Sequence, residues 1–285
     1  MDFNNNNQEG TPEYEHEEQL MKGMALFSNN LFAEAMAAFN KAIKLRPDHD
    51  EAYFMNGNCC CCLYNYEEGI EWYNKAIPLN PNDPDVHKNK GSALMEFNKY
   101  DEAIECFDKS IELYTEESEA IEAIKHKASA LSRLARFKEA IDVYAKAILI
   151  DPTDEEALNN NGSALCVLER FSEGLKMYEK ALELNPNDAE TLTNKGNALA
   201  GLKRYEEAIS CYDKVIFQDN QFFMAYLNKG LAKIELSQYH VGIACLNKAI
   251  SLNPMCAAAY NNKVLLLFLN NLIIGNFLQF NSFFF

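Results

Sequence analysis

The stretch GNALAGLKRYEEAISCYDKVI, residues 196–216, contains the pattern that decides the fold. Its apolar residues recur at helical spacing, as in Tyr205, Ile209 and Tyr212. Its small residues, beginning with Gly196, would let two antiparallel helices approach each other closely. The stretch therefore predicts two short amphipathic helices that pack against each other.

The same pattern returns along the chain every 34 residues, with one interval lengthened to 37. We number each repeat so that its opening small residue is position 8. A fixed period of this length is typical of a solenoid, in which stacked neighbours bury a face that one repeat cannot bury alone. Position 8 is occupied by Gly23, Gly57, Gly91, Ala128, Gly162, Gly196, Gly230 and Val264.

Other positions are equally regular: position 17 is aromatic in seven copies, position 24 is aromatic in six, and position 20 is always small. These residues resemble the tetratricopeptide repeat family over residues 16–266. The resemblance implies an all-α, right-handed superhelical solenoid of helix-turn-helix repeats, in which the first helix of each pair lines the concave side. We expect repeats at 16–49, 50–83, 84–120, 121–154, 155–188, 189–222 and 223–256, with a partial repeat at 257–266.

Two terminal segments and one insertion fall outside the pattern. Residues 1–15 are polar and rich in asparagine, which predicts a disordered leader. The apolar residues 267–285 form an atypical tail that fits a membrane anchor, a cap on the last repeat or translated noncoding sequence. Three extra residues near Thr115 lengthen a turn, and whether they also divide the solenoid there stays open.

The net charge, the cysteine count and the motif content exclude several classes of function. The net charge of -16 would repel phosphate backbones, so we expect no nucleic-acid partner. Nine cysteines without a secretory signal favour a reducing, cytoplasmic location. The chain contains no P-loop, dinucleotide fingerprint or zinc-protease helix, so we predict a protein without enzymatic activity or cofactor, and a membrane association is not favoured.

Four consecutive cysteines, Cys59 to Cys62, fall on the first helix of the second repeat. Cys59 and Cys60 occupy positions that carry alanine and leucine in other copies, so they are expected to pack in the core. Consecutive helical residues turn by about 100 degrees each and cannot converge on one metal, so no metal site is predicted. A redox-sensitive or metal-binding pair that uses Cys61 or Cys62 is the alternative.

The resemblance implies that positions 2, 5, 6, 9, 12 and 13 of each first helix face the concave side. Position 6 carries asparagine five times in the last six copies, and an amide matches the paired N–H and C=O of an extended peptide. This asparagine ladder resembles the one in the repeat domain of O-linked N-acetylglucosamine transferase, although duplication of repeats would also explain it. The predicted peptide-binding residues are Asn89, His126, Asn160, Asn194, Asn228 and Asn262.

The sequence thus predicts a protein–protein interaction scaffold or adaptor whose groove binds a protein or an extended peptide. Acidic residues at position 2 of six repeats, among them Asp85 and Glu190, favour a basic partner, although helix dipoles alone explain acids there. Two alternatives stay open. One is a substrate-recognition arm of a glycosyltransferase that lacks its catalytic domain, and the other is a subunit of a large cell-cycle or ciliary assembly.

Overall fold

A computed structural model describes residues 11–264, which form fourteen complete helices and a further helical segment at 257–264, without any strand. The helices pair as hairpins, with the odd-numbered helix first and the even-numbered helix second. The residues to which the predictions for the tail and for the first ten leader positions apply lie outside the described range.

The helices are α1 Pro12–Ser28, α2 Phe32–Leu45, α3 Asp50–Cys62, α4 Tyr66–Ala76, α5 Pro84–Glu96, α6 Tyr100–Leu113, α7 Ile121–Arg133, α8 Phe137–Ile150, α9 Glu155–Val167, α10 Phe171–Leu184, α11 Ala189–Gly201, α12 Tyr205–Gln218, α13 Phe223–Glu235 and α14 Tyr239–Leu252.

The first helix begins earlier than expected. Residues 12–15, assigned above to the disordered leader, form the first turn of α1. Thr11 caps this turn, since its hydroxyl accepts a hydrogen bond from the backbone N–H of Tyr14 at 3.2 Å. Pro12 stands at the start of the helix, where its missing N–H costs nothing. The predicted leader therefore overlaps the helix at residues 12–15.

The chain forms two compact units, Met1–Pro152 and Thr153–Phe285. Within the described residues, unit 1 contains α1 to α8 and unit 2 contains α9 to α14. The insertion near Thr115 lies between α6 and α7, which pack against each other inside unit 1. The inserted residues therefore lengthen a turn and do not divide the stack.

First helices of adjacent repeats contact one another within each unit. Contacts join α1 to α3, α3 to α5 and α5 to α7 in unit 1, and α9 to α11 and α11 to α13 in unit 2. These helices form one continuous surface in each unit, which we call the inner face. A side chain that recurs at a position of the first helix outside the hairpin core is thus repeated in a row along the stack.

The turn inside each hairpin has the same backbone geometry in all seven copies. The residue at position 15 has a positive φ of 57° to 62°, although none of the seven is glycine. The next residue donates its backbone N–H to a carbonyl five residues back, as from Arg204 to Leu199 at 2.9 Å. This is the Schellman motif, which satisfies carbonyls at the end of the first helix and turns the chain tightly.

In five of the seven hairpins, the core is built on contact between a glycine at position 8 and the ring at position 24, whereas the fourth has Ala128 at position 8 and the seventh has Leu246 at position 24. A Cβ atom on Gly23, Gly57, Gly91, Gly162 or Gly196 would lie 2.4 to 2.7 Å from a ring carbon of that aromatic residue. The aromatic rings themselves are 0 to 2% exposed. Glycine is therefore needed at these places because the ring lies directly on the backbone of the first helix.

Gly196→Ala should lower the free energy of unfolding by about 1–2 kcal/mol, because crowding against Tyr212 outweighs the better helix propensity of alanine. Gly230→Ala is the matched control. There the added Cβ meets only Leu246 and a backbone oxygen at 3.2 Å, so the loss should be smaller. Chemical denaturation followed by circular dichroism measures both, and an equal effect would contradict this account of position 8.

Candidate functional site

The six predicted ladder residues all lie half-buried on first helices or, for Asn262, in the helical segment at 257–264. Unit 1 contributes Asn89 and His126, and unit 2 contributes the other four. Each row follows the inner face of its own unit.

In unit 2, Asn228 is held by the preceding repeat. Its amide nitrogen Nδ2 donates to Oδ1 of Asn197 on α11 at 2.9 Å. The same Oδ1 accepts a hydrogen bond from the hydroxyl of Tyr212 at 2.9 Å. One carbonyl oxygen thus joins the buried ring of its own repeat to the ladder residue of the next.

Unit 1 contains the same arrangement between its second and third repeats. Nδ2 of Asn89 donates to Oδ1 of Asn58 at 2.9 Å, and the hydroxyl of Tyr73 donates to that oxygen at 2.8 Å. Asn58 and Asn197 both occupy position 9, while Tyr73 and Tyr212 both occupy position 24. The geometry is therefore a property of the repeat: tyrosine at 24, asparagine at 9, and asparagine at 6 of the next copy.

The arrangement changes where position 9 is serine. Ser163 reaches the hydroxyl of Tyr178 at 3.1 Å, but Asn194 of the next repeat bonds elsewhere. Its Nδ2 donates to Oδ1 of Asn159, at position 5, over 3.2 Å, and Asn159 in turn donates to Glu190 at 3.3 Å. The amide is held by a different residue, because the serine side chain is shorter.

Three predicted residues depart from this pattern, and the first, Asn160, makes no side-chain hydrogen bond within residues 11–264. His126 contacts the hydroxyl of Ser92 through Nδ1 at 3.3 Å, and its ring lies 5.6 Å from the ring of Phe107. Asn262 donates to the carbonyl oxygen of Ala258 in its own helix at 2.8 Å. The anchored amides of the ladder are therefore Asn89, Asn194 and Asn228, each fixed by a neighbouring first helix.

Anchoring uses one donor of each amide and leaves its acceptor available. Within residues 11–264, the Oδ1 atoms of Asn89, Asn194 and Asn228 accept no hydrogen bond. Each amide also retains its second N–H. The remaining acceptor and donor are the two groups that pair with an extended peptide backbone, and their orientation is already fixed.

Burial keeps the supporting tyrosines protonated. It raises the pKa of Tyr73, Tyr178 and Tyr212 above the usual phenol range. Each hydroxyl is therefore protonated at neutral pH and can donate a hydrogen bond. This function of position 24 was not predicted from the sequence. The signal that could have indicated it is that tyrosine at position 24 occurs together with asparagine at position 9 in two repeats.

The acidic residues at position 2 differ between the two inner faces. In unit 1, Asp85 is paired with Lys88, and Glu122 with Lys125 at 2.9 Å. Burial alone would raise the pKa of Asp85, but hydrogen bonds from Lys88 and Tyr114 lower it below its usual value. In unit 2, Glu190 accepts a hydrogen bond from the neutral amide of Asn159, so its negative charge is not compensated by that contact.

A cavity of about 490 Å³ opens on the inner face of unit 1 beside Asn89. Its walls come from three consecutive repeats and include four side chains at positions 12 and 13, two of them cysteines. Tyr66, at position 17, also lines it and was not among the positions expected to face the hollow. The lining residues are Phe27, Asn58, Cys61, Cys62, Tyr66, Tyr73, Asn89, Ser92, Ala93 and Glu96.

The four consecutive cysteines divide as their helical phase requires. Cys59 and Cys60 are fully buried, Cys61 is half-buried and Cys62 is exposed. Burial raises the pKa of both Cys59 and Cys60 to about 12, so these thiols are protonated and unreactive at neutral pH. Among residues 11–264, no group of three or more histidine, cysteine, aspartate or glutamate side chains is placed to hold a metal ion.

Asn197→Ser should weaken the attachment of Asn228 and lower the free energy of unfolding by about 0.5–1.5 kcal/mol, the usual net value of a hydrogen bond. The matched variant is Tyr212→Phe, which removes only the hydroxyl and should cost a similar amount. The double variant should cost less than the sum of the two, because both bonds end on one oxygen. Full additivity in urea denaturation would contradict the shared acceptor.

Alkylation provides a separate test of the cysteine cluster. Iodoacetamide at pH 8 should modify Cys62 first, because it is exposed, and should leave Cys59 and Cys60 unmodified while the protein is folded. Tandem mass spectrometry assigns the modified sulfurs, and urea-unfolded protein is the control in which all four react. Equal rates for Cys59 and Cys62 in the folded protein would contradict the packing assignment.

Comparison with protein families finds tetratricopeptide repeat profiles along most of the described chain. They match residues 20–84, 84–114, 121–154, 154–216 and 225–255. Comparison with curated proteins finds no significant match. No helix among residues 11–264 is long and apolar enough to cross a membrane.

Solved structures of repeat proteins share the fold. YrrB, described as a tetratricopeptide repeat protein with an unusual peptide-binding site, is 28% identical, with a TM-score of 0.56, over 68% of this chain and 98% of its own. The C-terminal part of a repeat protein from Cytophaga hutchinsonii is 19% identical, with a TM-score of 0.69, over 85% and 98%. A repeat protein from Parabacteroides merdae is 13% identical, with a TM-score of 0.65, over 89% and 99%.

The last two likenesses concern the fold alone, whereas the profiles match the residues themselves in successive copies. The matched segments coincide with the helical hairpins described above, and the aromatic, glycine and alanine positions form the contacts that the repeat requires. The chain therefore belongs to the tetratricopeptide repeat family.

Proposed function

We propose that the protein is a non-catalytic adaptor that binds an extended segment of a partner protein along its inner faces. The observation that carries this proposal is the anchored state of Asn89, Asn194 and Asn228. Each amide is held by the preceding first helix and still has one acceptor and one donor available. A row of such amides suits recognition of a peptide backbone with little dependence on its sequence.

The spacing of the helices supports an extended ligand. Packed helices lie roughly 8–10 Å apart, and an extended chain advances about 3.3 Å per residue, so one amide would meet about every third residue. Asn160, Asn194, Asn228 and Asn262 provide this series in unit 2. The ladder resembles that of O-linked N-acetylglucosamine transferase in this respect, and the similarity of YrrB, itself described with a peptide-binding site, favours the same class of ligand.

Charge supports a basic partner for unit 2. The formal net charge of the chain is -16, and within residues 11–264 the carboxylate of Glu190 is bonded by a neutral amide and by no cation. A positively charged segment would be attracted to this face, and its binding should weaken as salt is added. All nine cysteines are free thiols, which fits our proposal of a cytoplasmic location.

The triple variant Asn160→Ala, Asn194→Ala and Asn228→Ala tests the proposal. Purified full-length chain is used to select binders from a displayed library of random 12-residue peptides, and the affinities of the selected peptides are measured by fluorescence polarisation. Loss of three backbone contacts, each worth about 0.5–1.5 kcal/mol, should weaken unit 2 binders by roughly tenfold or more.

Asn74→Ala with Asn247→Ala is the matched control, because these two asparagines are exposed on second helices. It should leave peptide affinity unchanged. Circular dichroism separates a loss of binding from a loss of fold in the triple variant. Equal affinities of the triple variant and the wild type for every selected peptide would place the binding surface elsewhere.

A further inference from the structure

We infer that the cavity on the inner face of unit 1 is a specificity pocket for a basic side chain, lysine or arginine, of the bound segment. This inference rests on the proposed peptide-binding function and adds a preference for one residue type. The cavity lies next to Asn89, the anchored ladder amide of this unit, so a backbone held there could place a side chain in it. Its volume of about 490 Å³ is ample for one long side chain.

Two hydroxyls and one N–H on the cavity walls are already used as donors within the protein, whereas the Oδ1 of Asn89 and the carboxylate of Glu96 are acceptors. The hydroxyl of Tyr73 and one N–H of Asn89 both donate to Oδ1 of Asn58. The hydroxyl of Ser92 donates to the carbonyl oxygen of Lys88 at 3.2 Å. An occupant that brings several N–H donors is therefore favoured over one that brings acceptors.

The charge on the cavity lining is negative. Among the described residues that line it, Glu96 is the charged one, and it is exposed. The thiols of Cys61 and Cys62 add no charge at neutral pH, since partial desolvation of the sulfur raises the pKa of each, even though the Cys62 side chain is exposed. A cationic group would be paired with the carboxylate of Glu96, whereas an acidic side chain would be repelled.

The apolar part of the lining fits the stem of a lysine or arginine. Phe27 and Tyr66 present aromatic rings, and Ala93 and the two cysteines present small, uncharged groups. Basic side chains lay their methylene stems along such surfaces while the charged head seeks polar partners. A guanidinium or ammonium group is also attracted to an aromatic face.

Selection and a double-substitution measurement test the pocket. The displayed library of random 12-residue peptides is panned against the full-length wild type, Glu96→Gln and Glu235→Gln. Glu235 is the matched control, because it is an exposed glutamate at the same repeat position in unit 2. Wild type and the control should enrich peptides with lysine or arginine at one fixed place, and Glu96→Gln should lose that enrichment.

The selected peptide is then synthesised with its basic residue and with glutamine in its place. Glu96→Gln should weaken the basic peptide about tenfold, a moderate effect because the carboxylate is exposed, and should hardly change the glutamine peptide. Enrichment that separates lysine from arginine identifies which cation the pocket prefers and supports the assignment in either case.

Three outcomes would overturn the assignment. A consensus without a basic residue would do so, including an apolar or aromatic one that assigns the cavity to another side chain. Equal effects of Glu96→Gln on both synthetic peptides would do so as well. In either case, peptides that still depend on the three asparagines of unit 2 leave the proposed function standing, whereas failure to select any peptide contradicts both proposals.

Discussion

The contact between position 8 and the ring at position 24 determines both the core and the inner face. With glycine at position 8, the ring of Tyr212 lies on the backbone of the first helix, where a Cβ atom would be 2.5 Å away. From there the phenol hydroxyl reaches the side chain at position 9 of the first helix and donates to Oδ1 of Asn197 at 2.9 Å. A packing requirement of the hairpin thus supplies a buried hydrogen-bond donor to the candidate binding surface.

The same tyrosine hydroxyl helps to fix side chains on the inner face of the next repeat. The hydroxyl of Tyr212 and the amide nitrogen of Asn228 share one acceptor, Oδ1 of Asn197, so adjacent repeats are joined by a polar contact in addition to their apolar packing. The contact depends on the side chains at position 9 and at position 6 of the next repeat: Ser163 does not bond Asn194, whereas Ser92 reaches the longer His126 at 3.3 Å. The recurrence of asparagine at position 6 therefore has a structural cause as well as the proposed function, and the two causes do not compete.

The fold could be predicted from the sequence because its information is local and repeated seven times. The period, the aromatic positions and the small residues all report contacts within one hairpin, so each copy gives the same answer. The partners of the ladder residues could not be predicted in this way. Asn228 bonds a residue 31 positions away, whereas Asn194 bonds one 35 positions away, and this choice depends on side-chain length at position 9. The start of α1 was missed for a different reason: the polar leader masked a local signal, Thr11 followed by Pro12.

Anchoring has a consequence for affinity that the presence of asparagine alone does not have. A free amide on a helix surface loses side-chain freedom when a peptide fixes it, and this loss is subtracted from the binding free energy at each contact. Asn89, Asn194 and Asn228 are fixed during folding by neighbouring helices, so their acceptors are oriented before any ligand arrives. Each contact to a peptide backbone is individually weak. A row of such contacts gives a larger binding free energy when folding has already fixed the side chains, because less conformational entropy is then lost on binding. Asn89, Asn194 and Asn228 share this property.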